Sequence, residues 1–388
     1  MSVVSQVPRQ LLRHGKLQLE RLRWGSYYQA PQSNFDEALH LREAADWLVR
    51  AQDAGNDRGV SYGVRFGQGF DLSYPETTGY IIPTFLKLAE HYNDPQFRRR
   101  AIEMGDWEIA IQMDCGAVMA GKYKTKPNPA VFNTGMVLLG WAALFRETGE
   151  RRFLDASRRA AEWLLSNQDP DGSWNKGNSS LSHPTATVYN VKAAWGLCEA
   201  GMAGGWDDAV QAAIRKAEFA ISKQSANGWF DDCCLDFADR PLLHTLAYAM
   251  QGLVGIGRLT GRSDFIDAAA RMADSLIGLM SGDGFLPGRI DARFEGAVDW
   301  CCLTGTAQTS IVWSDLNRLR KDPKYGAAAQ TANRYLMAHH DITNADPGIR
   351  GGIAGCWPVW GDYGRFRILN WATNFFAEAL LLELHEGR

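Results

Sequence analysis

The chain has no apolar run long enough to cross a bilayer, so we expect no transmembrane segment in its 388 residues. It also has no surplus of basic charge, because 41 Lys and Arg residues stand against 44 Asp and Glu residues. That balance argues against a nucleic-acid-binding surface. No glycine-rich phosphate loop is present, since Gly63, Gly67 and Gly69 do not lie between a strand pattern and a helix pattern.

The cysteines are few and irregularly placed. There are seven, and the adjacent pairs Cys233-Cys234 and Cys301-Cys302 are not joined by zinc-ligand spacing. We therefore predict reduced thiols, no metal site and no other cofactor. The N-terminus lacks the uninterrupted apolar core of a secretory signal, which leads us to expect a cytoplasmic protein.

Residues 1–34 form a basic extension ahead of the predicted domain at 35–388. In this extension leucines alternate with Arg and Lys, as they do in an amphipathic helix. The leucines are Leu11, Leu12, Leu17, Leu19 and Leu22. We expect this helix to pack along the outside of the fold, with contact to an anionic membrane surface as the alternative. No oligomeric state is predicted.

One short pattern recurs along the chain, in which the end of a helix passes through polar residues into a turn that contains glycine. Its clearest copy runs from Trp163 through Gln168 and Gly172 to Trp174. Other copies lie at 47–55, 107–116, 220–230 and 276–285, with a divergent sixth at 335–348. The spacing of roughly 56–60 residues accommodates two helices and two connections, so the repeat indicates six helical hairpins.

The apolar periodicity agrees with this interpretation and predicts twelve helices. They lie at about 35–52, 78–92, 95–113, 131–147, 151–167, 185–201, 207–224, 242–260, 263–280, 303–319, 323–340 and 370–386. Short charged links alternate with long ones of roughly 15–30 residues, and loops of that length usually carry function. We predict a single-domain, all-α (α/α)6 barrel with one plain rim and one rim rich in functional side chains.

The long loops contain most of the polar and aromatic residues that would meet at the mouth of such a barrel. Fourteen Trp and twelve Tyr residues serve either helix packing or the stacking of sugar rings on flat apolar faces. A carbohydrate cleft is therefore expected at this rim, with an oligosaccharide or polysaccharide as the ligand. The predicted binding residues are Asn190, Tyr80, Asn133, Asp232, Trp300, Gln308, Trp357, Trp360 and Arg365.

Two pairs of residues suggest proton-transfer chemistry. His244 and Tyr248 are four residues apart and share a helix face, while His183 and Tyr189 precede and open another inner helix. A neutral His or a deprotonated Tyr could remove a proton alpha to a carboxylate, and a Tyr hydroxyl could protonate the leaving oxygen. Each of these residues also has a structural interpretation, as a helix cap or a packed core group.

This chemistry would make the protein a polysaccharide lyase or a C5-epimerase acting on a uronate-containing glycan or its precursor. In that hypothesis Arg365 and Asn190 neutralise the uronate carboxylate. The side chains of Trp300, Trp357 and Trp360 stack on the sugar rings.

Two alternatives belong to other classes. Glu76 with one of Asp231, Asp232 and Asp236 would suit a glycoside hydrolase that uses two carboxyl groups. Acidic residues in a first helical turn are, however, also favoured by capping and by the helix dipole. The third hypothesis is a non-catalytic glycan-binding protein of a polysaccharide synthesis complex.

Several runs together resemble a known group of proteins. They are residues 74–80 (YPETTGY), 243–248 (LHTLAY), 302–308 (CLTGTAQ), 351–358 (GGIAGCWP) and 370–376 (NWATNFF). They are similar to bacterial proteins found among exopolysaccharide and capsule biosynthesis proteins, which belong to the six-hairpin glycosidase-like superfamily. The resemblance implies the barrel and a glycan ligand. It does not choose between lyase, epimerase and hydrolase, because the superfamily contains all three.

Overall fold

The computed structural model describes residues 9–28, 33–180 and 182–386. Within these ranges it contains thirteen α-helices and three short β-strands. The helices are α1 Arg9–Trp24, α2 Glu37–Asp53, α3 Pro75–Tyr92, α4 Pro95–Ile111, α5 Val131–Thr148, α6 Arg151–Asn167, α7 Val191–Gly204, α8 Asp207–Ser222, α9 Leu243–Thr260, α10 Ser263–Leu279, α11 Leu303–Arg320, α12 Pro323–Ala338 and α13 Asn370–Glu386. The strands are β1 Gly63–Arg65, β2 Gly69–Phe70 and β3 Arg367–Leu369.

Helices α2–α13 form two concentric layers. The inner ring consists of α3, α5, α7, α9, α11 and α13, each packed against the next, and α13 closes the ring on α3. The outer layer consists of α4, α6, α8, α10 and α12, each packed on the inner helix before it, and of α2, which packs on α13. The predicted (α/α)6 barrel is confirmed.

Most predicted helix bounds agree with the structure to within a few residues, and the two larger differences lie at the mouth. Helix α3 begins at Pro75 rather than 78, because proline favours the first position of a helix. Helix α7 begins at Val191 rather than 185, after a 3₁₀ turn at Val188–Asn190.

The repeated Gln–Gly pattern fastens neighbouring outer helices to one another. The Gln168 side chain donates to the carbonyl of Gly172 (3.3 Å) and to that of Ala212 in α8 (2.9 Å). Arg215 of α8 in turn donates to the Gln168 oxygen (2.9 Å). Gly172 has φ +85°, and a Cβ atom there would lie 2.4 Å from the Arg215 carbonyl oxygen. The turn therefore requires glycine for its conformation and for its closeness to the next helix.

The same contacts are repeated around the barrel and close it. Gln112 and Gln224 each bridge their own turn to the following outer helix. In the last repeat Gly351 (φ +82°) would place a Cβ atom 2.3 Å from the carbonyl oxygen of Glu43 in α2. The final turn is thus pressed against the first outer helix.

A three-stranded antiparallel sheet also joins the first and last repeats. Strand β1 lies between β2 and β3, with Val64 opposite both Phe70 and Ile368. Long connections lead from each outer helix into the next inner helix, at 54–74, 112–130, 168–187, 223–242, 280–302 and 339–369. The strands of the sheet lie in the first and the last of them. The sheet fixes the segment before α13 against the segment before α3, both of which reach the mouth.

Helix α1 packs against the barrel through part of its surface. Leu17 and Trp24 contact the core, while Leu19 and Leu22 are 69% and 83% exposed. Residues 1–8 and the side chains of Leu11 and Leu12 lie outside the described part. None of the described helices combines the length and apolarity needed to cross a membrane.

Candidate active site

A cavity of about 400 Å³ opens at the mouth of the barrel, where the long loops meet the inner helices. Seven of its sixteen described lining residues are Tyr, Phe or Trp. The aromatic lining residues are Tyr62, Tyr74, Phe132, Tyr189, Tyr248, Tyr363 and Trp371. Ring contacts order them: Tyr62 lies 5.2 Å from Tyr74 and 4.7 Å from Trp371 between centroids. Such flat, ordered faces suit the apolar side of a sugar ring.

Glu76 is the one carboxylic acid among the described residues that line this cavity. It lies in the first turn of α3, directly after Pro75, and its carboxyl accepts a 3.2 Å hydrogen bond from the Tyr74 hydroxyl. Burial raises the pKa of Glu76 to about 7, against the smaller lowering effect of that bond. Both protonation states are therefore populated near neutral pH, as a general acid or base requires.

His244 lies in the first turn of α9, and its ring forms a hydrogen bond with the side-chain amide of Gln308. Its Nδ1 lies 2.5 Å from the Gln308 Oε1, which can only accept, so Nδ1 carries the hydrogen and Nε2 is the unprotonated nitrogen. The ring lies 4.4 Å from that of Tyr248 and 5.2 Å from that of Tyr363. Burial lowers the pKa of His244 to about 4 despite the Gln308 bond, so the imidazole is neutral.

The buried tyrosines of the cavity are hydrogen-bond donors. Tyr248 contacts Phe132 at 4.7 Å between centroids, and Phe132 contacts Tyr189 at 5.5 Å. Burial raises the pKa of both phenols well above the ordinary value, and the nearby Glu76 adds to this effect. They are therefore protonated at neutral pH and can donate a hydrogen bond or a proton.

One wall of the cavity is cationic. Lys122 and Arg367 both lie beside Asp71, the arginine with its Nη1 at 3.5 Å, so two cations share one carboxylate. Burial opposes ionisation of Asp71, but hydrogen bonds from Lys122 and from the Leu72 amide lower its pKa overall. The Arg367 Nη1 makes no hydrogen bond within the described residues. A positive charge is thus left for an anionic group in the cavity.

Asn133 adds an unused donor. It lies in the first turn of α5, is 2% exposed and lines the cavity. Its Nδ2 has no hydrogen-bond partner in the described part of the chain. Buried amide groups are normally paired, so this one is suited to bind a ligand oxygen.

The structure brings together five of the residues predicted from the sequence, namely Glu76, Asn133, Tyr189, His244 and Tyr248. They come from four adjacent inner helices or the turns that precede them. This convergence follows from the barrel, because the first turns of the inner helices all face the mouth.

Three more predicted residues lie behind the lining. Gln308 bonds to the imidazole described above. Tyr80 packs on Phe375 with 5.2 Å between ring centroids. Asn190 donates to Asn178 at 3.0 Å. They support the wall and do not form its surface.

His183 and Asp232 have local partners outside the cavity. The His183 Nδ1 accepts from the backbone N–H of Ala186 at 3.2 Å, which fastens its own loop. Asp232 is half-exposed, has φ +55° and pairs with Lys223 at 2.9 Å. Neither lines the cavity.

The three predicted tryptophans lie away from the cavity as well. Trp300 packs so closely that a Cβ on Gly288 would meet its ring at 2.2 Å. Trp357 lies 5.0 Å from His339 between ring centroids. Trp360 is covered by Arg21 of α1, whose guanidinium lies 4.4 Å from the ring. These side chains pack the barrel and its N-terminal helix.

Arg365 pairs with Asp362 at 3.1 Å and does not line the cavity. The cations at the cavity are Arg367, two residues further on, and Lys122, neither of which the sequence singled out. Arg367 reaches the mouth because β3 pairs with β1, where it lies opposite Arg65. No local signal marks Lys122, which lies in an irregular loop.

No family model and no curated protein matches this chain. Solved structures match its fold. An unsaturated glucuronyl hydrolase specific for heparin has a TM-score of 0.72 and 15% identity over 90% of this chain and 96% of that chain. Cellobiose 2-epimerase from Bacillus thermoamylovorans has a TM-score of 0.71 and 12% identity over 91% and 98%. An unsaturated glucuronyl hydrolase mutant from Streptococcus agalactiae, complexed with dGlcA-GalNAc6S, has a TM-score of 0.64 and 14% identity over 91% and 92%.

At these identities the likeness establishes the fold. The chain shares the (α/α)6 barrel with these enzymes over almost its whole length and almost the whole length of each of these structures. A shared fold does not determine the reaction, which depends on the residues of the cavity.

Proposed function

We propose that the protein is an enzyme that acts on a uronate-containing glycan or its precursor by proton transfer, with Glu76 as the group that moves the proton. The observation that supports this most directly is a carboxyl group with a pKa of about 7, the one carboxyl among the described lining residues, in a cavity that aromatic rings, Lys122 and Arg367 also line. The solved structures of similar fold act on glucuronyl or cellobiose substrates, as their names state, and this agrees with a sugar ligand.

The leading reaction begins at C5 of the uronate. Lys122, Arg367 and the Asn133 amide bind the carboxylate, which makes the neighbouring C5–H more acidic by stabilising the charge that develops on the carboxylate oxygens. Ionised Glu76 takes the C5 proton. A phenol then completes the reaction: it protonates the departing 4-linked oxygen in an elimination, or C5 from the opposite face in an epimerisation. Tyr248 and Tyr189 are the protonated phenols at hand.

His244 has a different role in this scheme from the base expected from the sequence. With a pKa of about 4 it is always neutral but a weak base, whereas the pKa of Glu76 lies close to the working pH, where proton transfer is most efficient. The unprotonated Nε2 of His244 accepts a hydrogen bond from a sugar hydroxyl and so orients the ring.

A second candidate uses the same carboxyl in its protonated form. Neutral Glu76 gives its proton to C4 of an unsaturated uronyl end, and water adds at C5 and returns a proton to the Glu76 carboxylate. The resulting hemiketal opens to a ketone at C5, and the hemiacetal left at C1 then releases the next sugar. The names of the structural neighbours favour this reaction, and it requires one acid only. The two-carboxyl hydrolase is not favoured, because none of Asp231, Asp232 and Asp236 is among the described residues that line the cavity with Glu76. Asp232 is paired with Lys223, and Asp236 with Arg289.

One assay separates these reactions. The purified protein is incubated in deuterium oxide with saturated and with unsaturated uronate oligosaccharides, including lipid-linked precursors of exopolysaccharides. Elimination raises the ultraviolet absorbance of the conjugated double bond, epimerisation introduces deuterium at C5, and hydrolysis of the unsaturated end lowers the absorbance. Binding with none of these changes, and unaffected by Glu76→Gln, would instead identify a non-catalytic glycan-binding protein.

A further inference from the structure

A chain of three hydrogen bonds leads from His244 into the centre of the barrel. The first joins His244 to Gln308, as described above. The Nε2 of Gln308 then donates to the Oε1 of Gln251 at 3.1 Å, and the Nζ of Lys192 donates to the same oxygen at 2.9 Å. The four side chains are at most 5% exposed and come from the adjacent inner helices α7, α9 and α11.

The donor at the far end fixes the direction of every bond. In its protonated form Lys192 has no acceptor, so Gln251 must then present its oxygen to the ammonium group. That oxygen then receives the Gln308 amide nitrogen, which turns the Gln308 oxygen toward His244. The oxygen can only accept, so the imidazole hydrogen is placed on Nδ1. While Lys192 is protonated, no other arrangement satisfies all three bonds.

We propose that Lys192 is a positioning residue for the cavity: through Gln251 and Gln308 it holds His244 in the Nδ1–H tautomer, with Nε2 left as an acceptor toward the ligand. The effect of Lys192 on turnover rests on the proposed function, whereas its effect on the His244 tautomer does not.

The side chain of Lys192 loses its hydration in the barrel, which disfavours its charged form. Its Nζ lies 4.5 Å from the centre of the Trp195 ring and 5.6 Å from that of Phe375, so aromatic faces surround it. Burial lowers the pKa of Lys192 to about 7, an effect that Glu378 and Asp315 only partly offset. A methionine would fill much of this space without a charge to desolvate. The amine is therefore better explained by the Gln251 bond than by packing.

The test reads the tautomer directly, without substrate. Histidine labelled with ¹⁵N is incorporated, and the two ring-nitrogen shifts of His244 are assigned by their loss in His244→Gln. Spectra are recorded at about pH 6, where Lys192 (pKa about 7) is mostly protonated and His244 (pKa about 4) is neutral, and we expect Nδ1 to carry the hydrogen in the wild-type protein. Lys192→Met and Gln251→Leu should each convert this into a mixture in which at least about a third of His244 carries the hydrogen on Nε2, a ratio that lies within RT of equal populations.

Lys216→Met is the matched control. Lys216 is a second fully buried lysine with a pKa lowered to about 7 by burial, but it donates to the Thr187 carbonyl (3.0 Å) outside this chain of bonds. Its replacement should leave the His244 shifts unchanged. Circular dichroism is used to check that each variant is folded. If Lys192→Met does not fold, Gln251→Leu still tests the proposal.

The outcomes separate the two proposals. An Nε2–H imidazole in the wild-type protein, or an unchanged Nδ1–H imidazole in both Lys192→Met and Gln251→Leu, overturns the role of Lys192 whatever the protein catalyses. A shifted tautomer without turnover of any uronate supports the role of Lys192 and contradicts the proposed function. If both hold, kcat/KM for the uronate substrate should fall about 10-fold or more in Lys192→Met, and Lys216→Met should retain it.

Discussion

The hydroxyl of Tyr74 lies 3.2 Å from the carboxyl of Glu76, to which it donates a hydrogen bond from the residue that precedes α3. The two side chains therefore enter the cavity from the same helix start. The phenol stabilises the ionised carboxyl, while burial stabilises the neutral one, and burial prevails. With this balance Glu76 can either donate or accept a proton near neutral pH.

Replacing Glu76 by Gln should abolish most of the activity and leave the fold intact. Loss of a proton-transfer group costs about 10²–10⁴-fold in rate, and the amide keeps the shape of the side chain without its ionisation. Steady-state kinetics of Glu76→Gln measure the loss. Glu108→Gln is the control, because Glu108 in α4 is a fully buried carboxyl group that also has a raised pKa but lies away from the cavity. Equal activities of the two variants would contradict the role of Glu76.

The pH dependence of kcat/KM should separate the two candidate reactions. Since the pKa of Glu76 is raised to about 7, the carboxyl is largely neutral below this pH and ionised above it. Abstraction of the C5 proton needs the ionised form, so its rate should rise through about pH 7. Protonation of an unsaturated uronyl group needs the neutral form, so its rate should fall there. A profile that is level between about pH 6 and 8 would exclude both assignments.

Removal of the cationic wall should weaken binding of acidic sugars in particular. Lys122→Met and Arg367→Met should each raise KM for a uronate about 10- to 100-fold, since a hydrogen bond to a charged group contributes about 1.5–3 kcal/mol. The KM of a carboxyl-reduced, neutral analogue should change little. Arg365→Met, which breaks a pair outside the cavity, should affect neither substrate. A comparable loss for the neutral analogue would show that the wall supports the fold and not the carboxylate.

The barrel was accessible to sequence analysis because its signals are local and repeated. Helical periodicity, the Gln–Gly turns and the alternation of loop lengths each report a feature within one repeat of about 60 residues. The inward-facing residues near helix starts, such as Glu76, Asn133 and His244, follow from the same regularity. These residues line the cavity because the inner helices begin at the mouth.

The remainder of the site depends on contacts that no local pattern encodes. Arg367 enters the cavity because β3 pairs with β1, some 300 residues earlier in the chain, whereas Arg365 turns to Asp362. The tryptophans of the last loop are apolar enough for either a sugar or a core, and Trp360 is covered by Arg21 of α1. Composition cannot distinguish these uses, since both bury an aromatic face.

The turn glycines should matter to stability according to what they contact. Gly172→Ala combines a left-handed backbone (φ +85°) with a Cβ atom 2.4 Å from the Arg215 carbonyl oxygen. Gly149→Ala provides the control, because its φ is +70° but nothing lies within 4 Å of the added Cβ. The backbone alone costs about 1–2 kcal/mol. We expect a loss of that size for Gly149→Ala and a clearly larger one for Gly172→Ala, measured by urea unfolding. Similar losses would show that the next outer helix yields to the added methyl group.

The buried pair His40 and His340 should make the protein sensitive to acid. Their Nδ1 atoms lie 2.8 Å apart, so a single hydrogen lies between them. His40 uses its Nε2–H to donate to the Asn34 carbonyl (3.0 Å), which leaves His340 as the donor in the pair and its buried Nε2 without a partner in the described residues. Two imidazolium rings could not occupy this arrangement.

The direction of the effect follows from the pKa shifts. Burial lowers the pKa of His340 to about 3, with a smaller contribution from His40, and burial also lowers that of His40. Above pH 6.5 or so both rings are neutral in the folded and unfolded states. Below it the unfolded chain binds protons that the folded chain does not, so the free energy of unfolding falls, by up to about 1.4 kcal/mol per pH unit for each ring.

Urea unfolding between about pH 5 and 7.5 measures the slope of the free energy of unfolding against pH. His340→Gln should reduce the slope, whereas His385→Gln, at an exposed position, should not. Equal slopes in the wild-type protein and His340→Gln would mean that other groups account for its acid sensitivity.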